Sequence, residues 1–273
     1  MIREFAGFQL DEPVIMGIVN VTPDSFSDGG DHPTPETAIA HGRRLRAEGA
    51  HILDIGGEST RPGSAPVPEE EELRRVIPVI EALMEDGAVI SIDTRHARVM
   101  EEAVKAGAEI INDVTALTGD PDSLATAARL EVPVVLMHMQ GEPQTMQAHP
   151  HYDDVVAEVG RYLAERVAAC RSVGILPSNI CIDPGIGFGK TVDHNLALIR
   201  HLEQLRVDDC ALMLGLSRKS FIGALSRNET PKDRLPGSLA GALAGLDNGA
   251  EILRVHDVVE TRQALAVWHA LHG

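Results

Sequence analysis

The sequence is poor in aromatic residues and in cysteine. Phe, Trp and Tyr make up 3% of its 273 residues, so Val, Ile, Leu and Ala must fill the core. The three cysteines, Cys170, Cys181 and Cys210, show neither CxxC spacing nor a pairing framework. We therefore expect free thiols in a reducing compartment, and the sequence argues against a disulfide scaffold.

Positive charge and long apolar runs are also scarce. Lys and Arg number 24 against 41 Asp and Glu, which gives a formal net charge of −17. Such a chain repels nucleic acid and anionic membranes, and an anionic substrate would need a local basic pocket. No apolar run approaches the ~20 residues of a membrane helix, and residues 1–10 lack the apolar segment of a signal peptide. These absences predict a cytoplasmic protein with no nucleic-acid or membrane partner.

Eight short apolar runs recur along the chain, a pattern typical of parallel strands that are buried on both faces. Helical patterns alternate with the runs. The count of eight favours a closed (β/α)8 barrel, the TIM barrel, with a doubly wound open sheet as the alternative. Since there is no linker or shift in composition, residues 1–273 are predicted to form a single domain. The runs are 13–21, 51–57, 89–94, 109–114, 133–138, 180–185, 211–217 and 251–256.

Local signals predict several helix boundaries. Thr94 can cap the helix that follows the third run, and Asp120-Pro121 predicts the start of a short helix. Pro78 predicts a kink or a split in the helical pattern of residues 70–86. Further helices are predicted over 34–49, 152–173 and 192–206, and after Asp257.

Two connections after strands are unusually long, residues 22–34 and 58–68. Both are rich in Pro, Gly, Ser and Thr. Long loops at the carboxyl ends of barrel strands are often lids over an active site. An ordinary surface loop is the alternative interpretation.

Polar residues stand at the end of every apolar run, where burial without a partner would cost free energy. In a barrel, this end of the strands carries the catalytic residues. A single polar group there is explained equally well by a helix cap or a paired buried group, and we keep that explanation for Asp113 and His138. The whole set predicts an active site. Its members are Asn20, Asp54, Thr60, Arg61, Asp93, Asn112, Asp113, His138, Asp183, Ser217, Arg218, Lys219, Arg254 and His256.

These residues divide by charge. Asp93 and Asp183 are acceptors, and a carboxylate can accept two parallel N–H bonds from a 2-amino-pyrimidinone edge. Asn112 offers both a donor and an acceptor. The pattern indicates a ligand with a polar heterocycle and an anionic group. The basic residues that would bind the anion are Arg61, Arg218, Lys219, Arg254 and His256.

Motifs of several other enzyme classes are absent. Residues 183–191 read DPGIGFGKT, but a P-loop would need glycine where Pro184 stands. The same run lacks the Rossmann spacing, and its glycines are predicted to form a tight turn after the sixth strand. The sequence contains no GxSxG, no HExxH and no Cys/His cluster with zinc spacing, which argues against esterase and zinc-hydrolase chemistry.

At these residues the sequence resembles the dihydropteroate synthase family of folate biosynthesis. The resemblance implies a (β/α)8 barrel, usually a homodimer, that needs Mg²⁺. It also implies the condensation of 4-aminobenzoate with 6-hydroxymethyl-7,8-dihydropterin diphosphate, which gives 7,8-dihydropteroate and diphosphate. No core motif position departs from the family's pattern. The matching motifs are GIVNVTPDSFSDGG (17–30), ILDIGGESTRPG (52–63), SIDT (91–94), INDVTA (111–116), ICIDPGIGFGKT (180–191), GLSRKSFIG (215–223) and ILRVHDV (252–258).

The resemblance further implies roles for individual residues. Asp93, Asn112 and Asp183 would bind the pterin ring, with Lys219 beside it. Asn20 would give Mg²⁺ one oxygen ligand, with substrate oxygens and water as the others. The diphosphate would be held by Arg61, Arg254 and His256. The aminobenzoate pocket would consist of Thr60, Arg61, Pro62, Phe188, Ser217 and Lys219. The catalytic residues would be Arg61, Lys219, Arg254 and His256.

The implied reaction needs no strong general base, because an aniline-type amine is neutral at pH 7. Its barrier is charge separation as diphosphate leaves, and the pterin ring can delocalise positive charge at the methylene. We therefore expect an SN1-like path, with the loops 22–34 and 58–68 closing over the substrates. Two alternatives are a catalytically silent pterin-binding paralogue and a corrinoid-dependent pterin methyltransferase. The methyltransferase should lack both long loops and the Arg254-Val255-His256 anion site.

Overall fold

Eight parallel strands form a closed barrel, in which neighbouring strands follow one another along the chain and the last strand pairs with the first. This computed structural model describes residues 3–22, 34–59 and 63–272. The predicted (β/α)8 barrel is confirmed, and the open sheet is excluded because the barrel closes. The strands are β1 (Val14–Asn20), β2 (Ile52–Gly56), β3 (Val89–Asp93), β4 (Ile110–Asp113), β5 (Val134–Met137), β6 (Ile180–Asp183), β7 (Ala211–Leu214) and β8 (Ile252–Val255).

Helices connect the strands and pack around the outside of the barrel. The pattern predicted over 192–206 is a helix that ends at Arg200 and a following 3₁₀ turn, Leu202–Leu205. The helices are α1 (Pro35–Glu48), α2 (Glu69–Glu85), α3 (Ala97–Lys105), α4 (Ser123–Leu130), α5 (Val155–Ser172), α6 (Val192–Arg200), α7 (Ser220–Ala224), α8 (Leu235–Asp247) and α9 (Val258–His272).

Helix α1 begins and ends where local chemistry requires. The Thr34 side chain accepts a hydrogen bond from the Thr37 N–H, and Pro35 occupies the first turn. Gly49 ends the helix with a φ of 101°, a left-handed conformation that glycine adopts without strain. The predicted boundaries of this helix are confirmed.

Other helix boundaries differ from the prediction. Helix α2 runs continuously through Pro78, so it is not split. Helix α3 begins at Ala97, whose N–H donates to the Asp120 carboxylate at 2.9 Å, and Thr94 therefore lies outside it. Helix α4 begins later than Asp120-Pro121, at Ser123, and the other Asp120 oxygen accepts from the Asp122 N–H at 2.9 Å in the turn before it.

Two apolar clusters form the core. The larger one lies between the strands and the helices, and the smaller one fills the barrel interior towards the N-terminal ends of the strands. A hairpin of Glu4–Phe5 and Phe8–Gln9 covers that end and buries Phe5. The hairpin was not predicted, because strands of two residues are too short to show a period. The interior cluster contains Phe5, Val14, Met16, Ile52, Ile110, Val135, Cys181, Ala211, Met213 and Ile252.

The three cysteines are free, as predicted, and all three are buried. Burial raises the pKa of the Cys170 thiol to about 11 and that of the Cys210 thiol to about 12, so neither is a ready nucleophile. Within the described ranges, no helix is both long and apolar enough to cross a membrane.

Candidate active site

Alternation along the strands places polar side chains inside the barrel. Ile52, Ile110, Cys181 and Ile252 belong to the apolar interior cluster. Residues two positions apart lie on the same face of a strand, so the next inward positions are two residues further along. The polar strand ends therefore form a layer directly above the apolar interior. These next positions are Asp54, Asn112, Asp183 and Arg254.

Arg254 lies at the centre of one half of this layer. Its Nε donates to Asp54 Oδ2 at 2.6 Å, and its Nη2 donates to Asp93 Oδ2 at 2.7 Å. Asn112 Nδ2 donates to the same Asp54 oxygen at 3.1 Å. The other Asp54 oxygen, Oδ1, is buried and has no hydrogen-bond partner among the described residues. This half of the layer therefore retains an unused acceptor.

Burial and mutual repulsion change the acidity of these groups. Burial raises the pKa of Asp93 to about 7, with the Arg254 charge opposing the shift and Asp54 adding to it. Burial alone would lower the pKa of Arg254, but Asp54 and Asp93 raise it above its ordinary value. Arg254 thus stays charged, while Asp93 can exchange a proton near neutral pH.

Asp183 and Lys219 form the other half of the layer, beside the turn of residues 184–189, which we call the glycine turn. Asp183 Oδ1 accepts from the Gly185 N–H at 2.7 Å. Lys219 Nζ donates to the Ile186 carbonyl and lies 4.3 Å from the centre of the Phe188 ring. The tight turn predicted after the sixth strand is confirmed, and it brings the aromatic ring and the amine together.

The acidity of this pair is also shifted. Burial raises the pKa of Asp183, and the charge of Lys219 opposes the shift. Burial lowers the pKa of Lys219 to about 7, against the attraction of Asp183. Perturbed groups of opposite charge in one layer are typical of active sites.

Ser217 and His256 lie together at the ends of β7 and β8. Ser217 Oγ is 3.1 Å from His256 Nδ1 and accepts from the His256 N–H at 3.3 Å. Arg218, predicted for the basic pocket, instead donates to Asp257 Oδ2 at 3.0 Å. Its backbone has a φ of 60°, and its charge is already paired. The structure therefore assigns Arg218 to the framework of the site.

Asp113 and His138 are paired buried groups, which is one of the two explanations that the sequence analysis kept for them. Asp113 accepts from the Thr115 N–H at 2.7 Å and from the Leu117 N–H at 2.9 Å, which fixes the turn after β4. His138 Nδ1 lies 2.9 Å from Lys190 Nζ. Both polar groups are thus occupied by protein partners.

Asn20 ends β1, where it pairs in register with Gly56 of β2. It is half-buried, and its side chain makes no hydrogen bond within residues 3–22, 34–59 and 63–272. An amide oxygen that is free in this way is a suitable ligand for a hard cation such as Mg²⁺. A separate group, Glu69, His96 and Asp120, has ligand atoms within 4.8 Å of one another. Its imidazole makes it a poor match for Mg²⁺, which prefers oxygen.

Residues 58–59 and 63–68 of the second long loop lie within the described residues. Glu58 Oε1, at the start of the loop, accepts from the Val67 N–H at 3.1 Å and from Arg95 Nη2 at 2.8 Å. Arg75 Nη1 donates to the Gly57 carbonyl at 2.8 Å. These bonds join the two ends of the loop. The predicted site residues Thr60, Arg61 and Pro62, and most of the loop 22–34, lie outside the described residues.

The predicted polar set included Asp54 without giving it a role, and it omitted Glu58. Asp54 carried a usable signal, since a carboxylate within an apolar run must have a buried partner. That partner, Arg254, is 200 positions away in sequence. Glu58 carried no such signal, because a charged residue at the start of a loop is ordinary.

A ring of carboxylate, amide and cationic side chains at the carboxyl ends of a closed eight-stranded barrel defines an enzyme of the TIM-barrel class. The model of the family described as "Pterin binding enzyme" matches residues 16–256, and the chain belongs to that family.

Known proteins of this family resemble the chain over nearly its whole length. Dihydropteroate synthase of Escherichia coli (strain K12) is 50% identical over 262 residues, which cover 96% of this chain and 92% of that protein. Two structures of dihydropteroate synthase from Xanthomonas albilineans also match. The one with 4-aminobenzoic acid has a TM-score of 0.92 and 54% identity, and covers 97% of this chain and 95% of that one. The one with 7,8-dihydropteroate has a TM-score of 0.89 and 52% identity, and covers 97% and 96%.

Proposed function

We propose that this chain is an active dihydropteroate synthase. It would join the amine of 4-aminobenzoate to the methylene of 6-hydroxymethyl-7,8-dihydropterin diphosphate and release diphosphate. The observation that supports this most directly is the divided polar layer, with Asp93, Asn112 and Asp183 on one inner surface with Arg254 and Lys219. One substrate, a pterin that carries a diphosphate, has groups that match both kinds of residue.

The pterin ring would lie on the polar layer. Carboxylates of Asp93 and Asp183 can accept N–H bonds from its pyrimidinone edge, and the Asn112 amide can both donate and accept. Lys219 would donate to the ring from the side of the glycine turn. The unused Asp54 Oδ1 gives the site one further acceptor at the same depth.

The diphosphate would lie nearer the loops, where Arg61, Arg254 and His256 would bind it. Asn20 would provide one oxygen ligand for Mg²⁺, which when bound would neutralise charge on the diphosphate oxygens. The methylene C–O bond breaks with both electrons going to the diphosphate, and the cationic side chains stabilise that charge. The aminobenzoate nitrogen then bonds to the methylene and loses a proton to water. This order makes the displacement SN1-like.

The aminobenzoate would enter last. Phe188, Ser217 and Lys219 would form the fixed wall of its pocket, and Thr60, Arg61 and Pro62 the part supplied by the loop 58–68. Closure of the loops 22–34 and 58–68 would exclude water from the activated methylene. Without closure, water would compete with the amine.

A diphosphate-release assay with both substrates and Mg²⁺ tests the proposal. We expect release that depends on both substrates and 7,8-dihydropteroate as the product. Binding of the pterin without release would identify a silent paralogue and contradict the proposal. Methyl transfer from a methylated pterin to a corrinoid would identify the methyltransferase alternative. Substitution of Arg254 or Lys219 should abolish release in a folded protein, and normal turnover would contradict their assignment.

We further propose that residues 1–273 form one domain and that the enzyme acts as a cytoplasmic homodimer. The family resemblance supports the dimer. Light scattering of the purified protein would test it, since a mass near that of one 29.3 kDa chain would contradict a dimer.

A further inference from the structure

The chain has only four lysines, and two of them, the half-buried Lys219 and the buried Lys190, contact the glycine turn. Lys105 and Lys232 are exposed. Lys219 belongs to the proposed site. Lys190 is only 3% exposed, and no role in the reaction has been assigned to it so far. A lysine that is buried to this extent needs a specific reason, because its ammonium is costly to remove from water.

Lys190 has a complete set of acceptors. Its Nζ lies 2.9 Å from His138 Nδ1, 3.3 Å from the His138 carbonyl and 2.9 Å from the Phe188 carbonyl. Burial lowers the pKa of His138 to about 3, and Lys190 adds to that shift, so the imidazole is neutral. An ammonium has three N–H donors, and here each has an acceptor. Lys190 thus ties the end of β5 to the glycine turn.

The glycine turn has no room to move towards β5. Gly185 has a φ of 66°, and a Cβ on it would overlap the His138 carbonyl. On the other side of the turn, the Ile186 carbonyl accepts from Lys219 and the Phe188 ring lies against the same amine. A displacement of the turn would therefore move both groups relative to Lys219.

We propose that Lys190 is a positioning residue of this site, which from behind the glycine turn fixes the Phe188 ring and the Ile186 carbonyl against Lys219. This inference rests on the proposed function, because Phe188 and Lys219 face the substrates of that reaction. Lys190 does not touch the substrates itself. It acts through the turn and through its charge.

Lys190 and Lys219 are close enough for their charges to interact, since the Lys219 charge lowers the pKa of Lys190. Burial lowers the pKa of Lys190 to about 7, with Lys219 lowering it further and Asp183 opposing. The pKa of Lys219 is lowered to about 7 by burial, with Asp183 and Asp93 opposing and Arg254 adding. In the described part of the chain, His138 and His194 are further titratable groups that interact with Lys190. The Asp183 carboxylate stabilises the charged form of both amines, and the two charged amines repel each other. Removal of one amine should therefore raise the pKa of the other.

The test compares Lys190→Met with Tyr152→Phe. Tyr152 donates to the Gly189 carbonyl at 3.0 Å, so this control removes a bond to the same turn without removing a charge. For Lys190→Met we expect the KM for 4-aminobenzoate to rise about tenfold, with a smaller change in the KM for the pterin diphosphate. The alkaline limb of the kcat/KM profile should move to higher pH by about half a unit or more. Tyr152→Phe should leave that limb in place.

Isotope-labelled lysine gives an independent measurement, because only four side-chain signals occur and substitution assigns each one. In Lys190→Met, the Lys219 signal should titrate at higher pH than in the wild type. A folded Lys190→Met protein with an unchanged KM for 4-aminobenzoate and an unchanged alkaline limb would overturn the inference. If that variant does not fold, the wild-type titration decides: Lys190 must titrate well below an ordinary lysine, and an ordinary midpoint overturns the inference. A wild-type protein that releases no diphosphate would refute the proposed function instead, and the lysine titration would still test the pairing.

Discussion

The two ends of the barrel both bury charged groups, but they use them differently. At the N-terminal end, the Glu251 carboxylate forms ion pairs with Arg3 at 2.5 Å and Arg206 at 3.1 Å, and it accepts from the Leu212 N–H at 3.0 Å. Two buried carboxylate oxygens make no hydrogen bond among the described residues, Glu251 Oε1 at this end and Asp54 Oδ1 at the carboxyl end. Glu251 Oε1 nevertheless lies against the Arg3 guanidinium, whereas Asp54 Oδ1 forms no ion pair within the described ranges. The Glu251 charge is thus paired with two arginines of the protein, and Asp54 Oδ1 remains available to a ligand.

The difference follows from what each end must do. The N-terminal end is covered by the hairpin that buries Phe5, so its charges serve to hold β8 and its neighbours in place. At the carboxyl end, the pKa values of Asp93 and Lys219 are both about 7, one raised and one lowered by burial. Groups in this state have poorly solvated charges that a matching ligand can stabilise. Stability is therefore concentrated at one end and chemistry at the other.

Arg254→Met should have the largest effect on activity. It removes the cation nearest to both Asp54 and Asp93, and with it a charge that would stabilise the departing diphosphate. We expect kcat/KM to fall by about a thousandfold or more, which corresponds to about 4 kcal/mol of transition-state stabilisation. Circular dichroism should show a folded protein, because Asp93 can take up a proton when its partner is lost. A fall of less than tenfold would mean that Arg254 has only a structural role.

Arg206→Met makes the equivalent change at the other end. It removes one partner of the buried Glu251 carboxylate and should lower the free energy of unfolding by about 3 kcal/mol. Denaturant titration measures that loss, and kcat at 25 °C should stay within about twofold of the wild type. A large loss of kcat in a folded Arg206→Met protein would contradict the conclusion that charges at the N-terminal end serve stability alone.

Glu72 tests whether buried charge behind the site is costly. It is fully buried on α2, and neither of its carboxylate oxygens has a hydrogen-bond partner in the described part of the chain, although His96 Nε2 lies 3.9 Å from Oε2. Burial raises its pKa to about 8, so the folded protein keeps this proton between pH 4.5 and 8 while the unfolded chain releases it. The stability that the retained proton contributes is therefore present below pH 4.5 and lost as pH rises through 8.

Glu72→Gln should remove that pH dependence, since the amide does not ionise. We expect the variant and the wild type to be similar in stability at pH 5, and the variant to be more stable at pH 9 by about 2 kcal/mol. Unfolding by urea at the two pH values measures the difference. A gap that is the same at both pH values would show that Glu72 does not titrate in this range.

The fold and most of the polar layer could be predicted from the sequence, because both follow from local patterns. Runs such as 180–185 show a buried strand directly, and the change from Cys181 to Asp183 on one face shows where the apolar interior ends. What could not be predicted depends on partners that are distant in sequence. Arg218 looked like a pocket cation until the fold placed Asp257 beside it. For the same reason the Asp54–Arg254 pair needed the structure, although each residue was conspicuous alone.

The smallest effect that we predict concerns the loop 58–68 at the carboxyl end of the barrel. Glu58→Gln keeps an oxygen for the Val67 N–H but loses the ion pair with Arg95. The two ends of the loop should separate more readily, so we expect the KM for 4-aminobenzoate to rise about fivefold, or about 1 kcal/mol. The KM for the pterin diphosphate should rise less, because only its diphosphate would meet this loop, through Arg61.

Glu101→Gln is the matched control for this change. Glu101 forms ion pairs at 3.0 Å with both Lys105 of α3 and Arg129 of α4, neither of which belongs to a long loop, and its loss should leave both KM values unchanged. If both KM values rise equally in Glu58→Gln, the ion pair would position the loop for both substrates alike. If neither rises, the bond to Val67 alone would hold the loop ends together. Only a larger rise for 4-aminobenzoate than for the pterin diphosphate agrees with an ion pair that closes this loop over the second substrate.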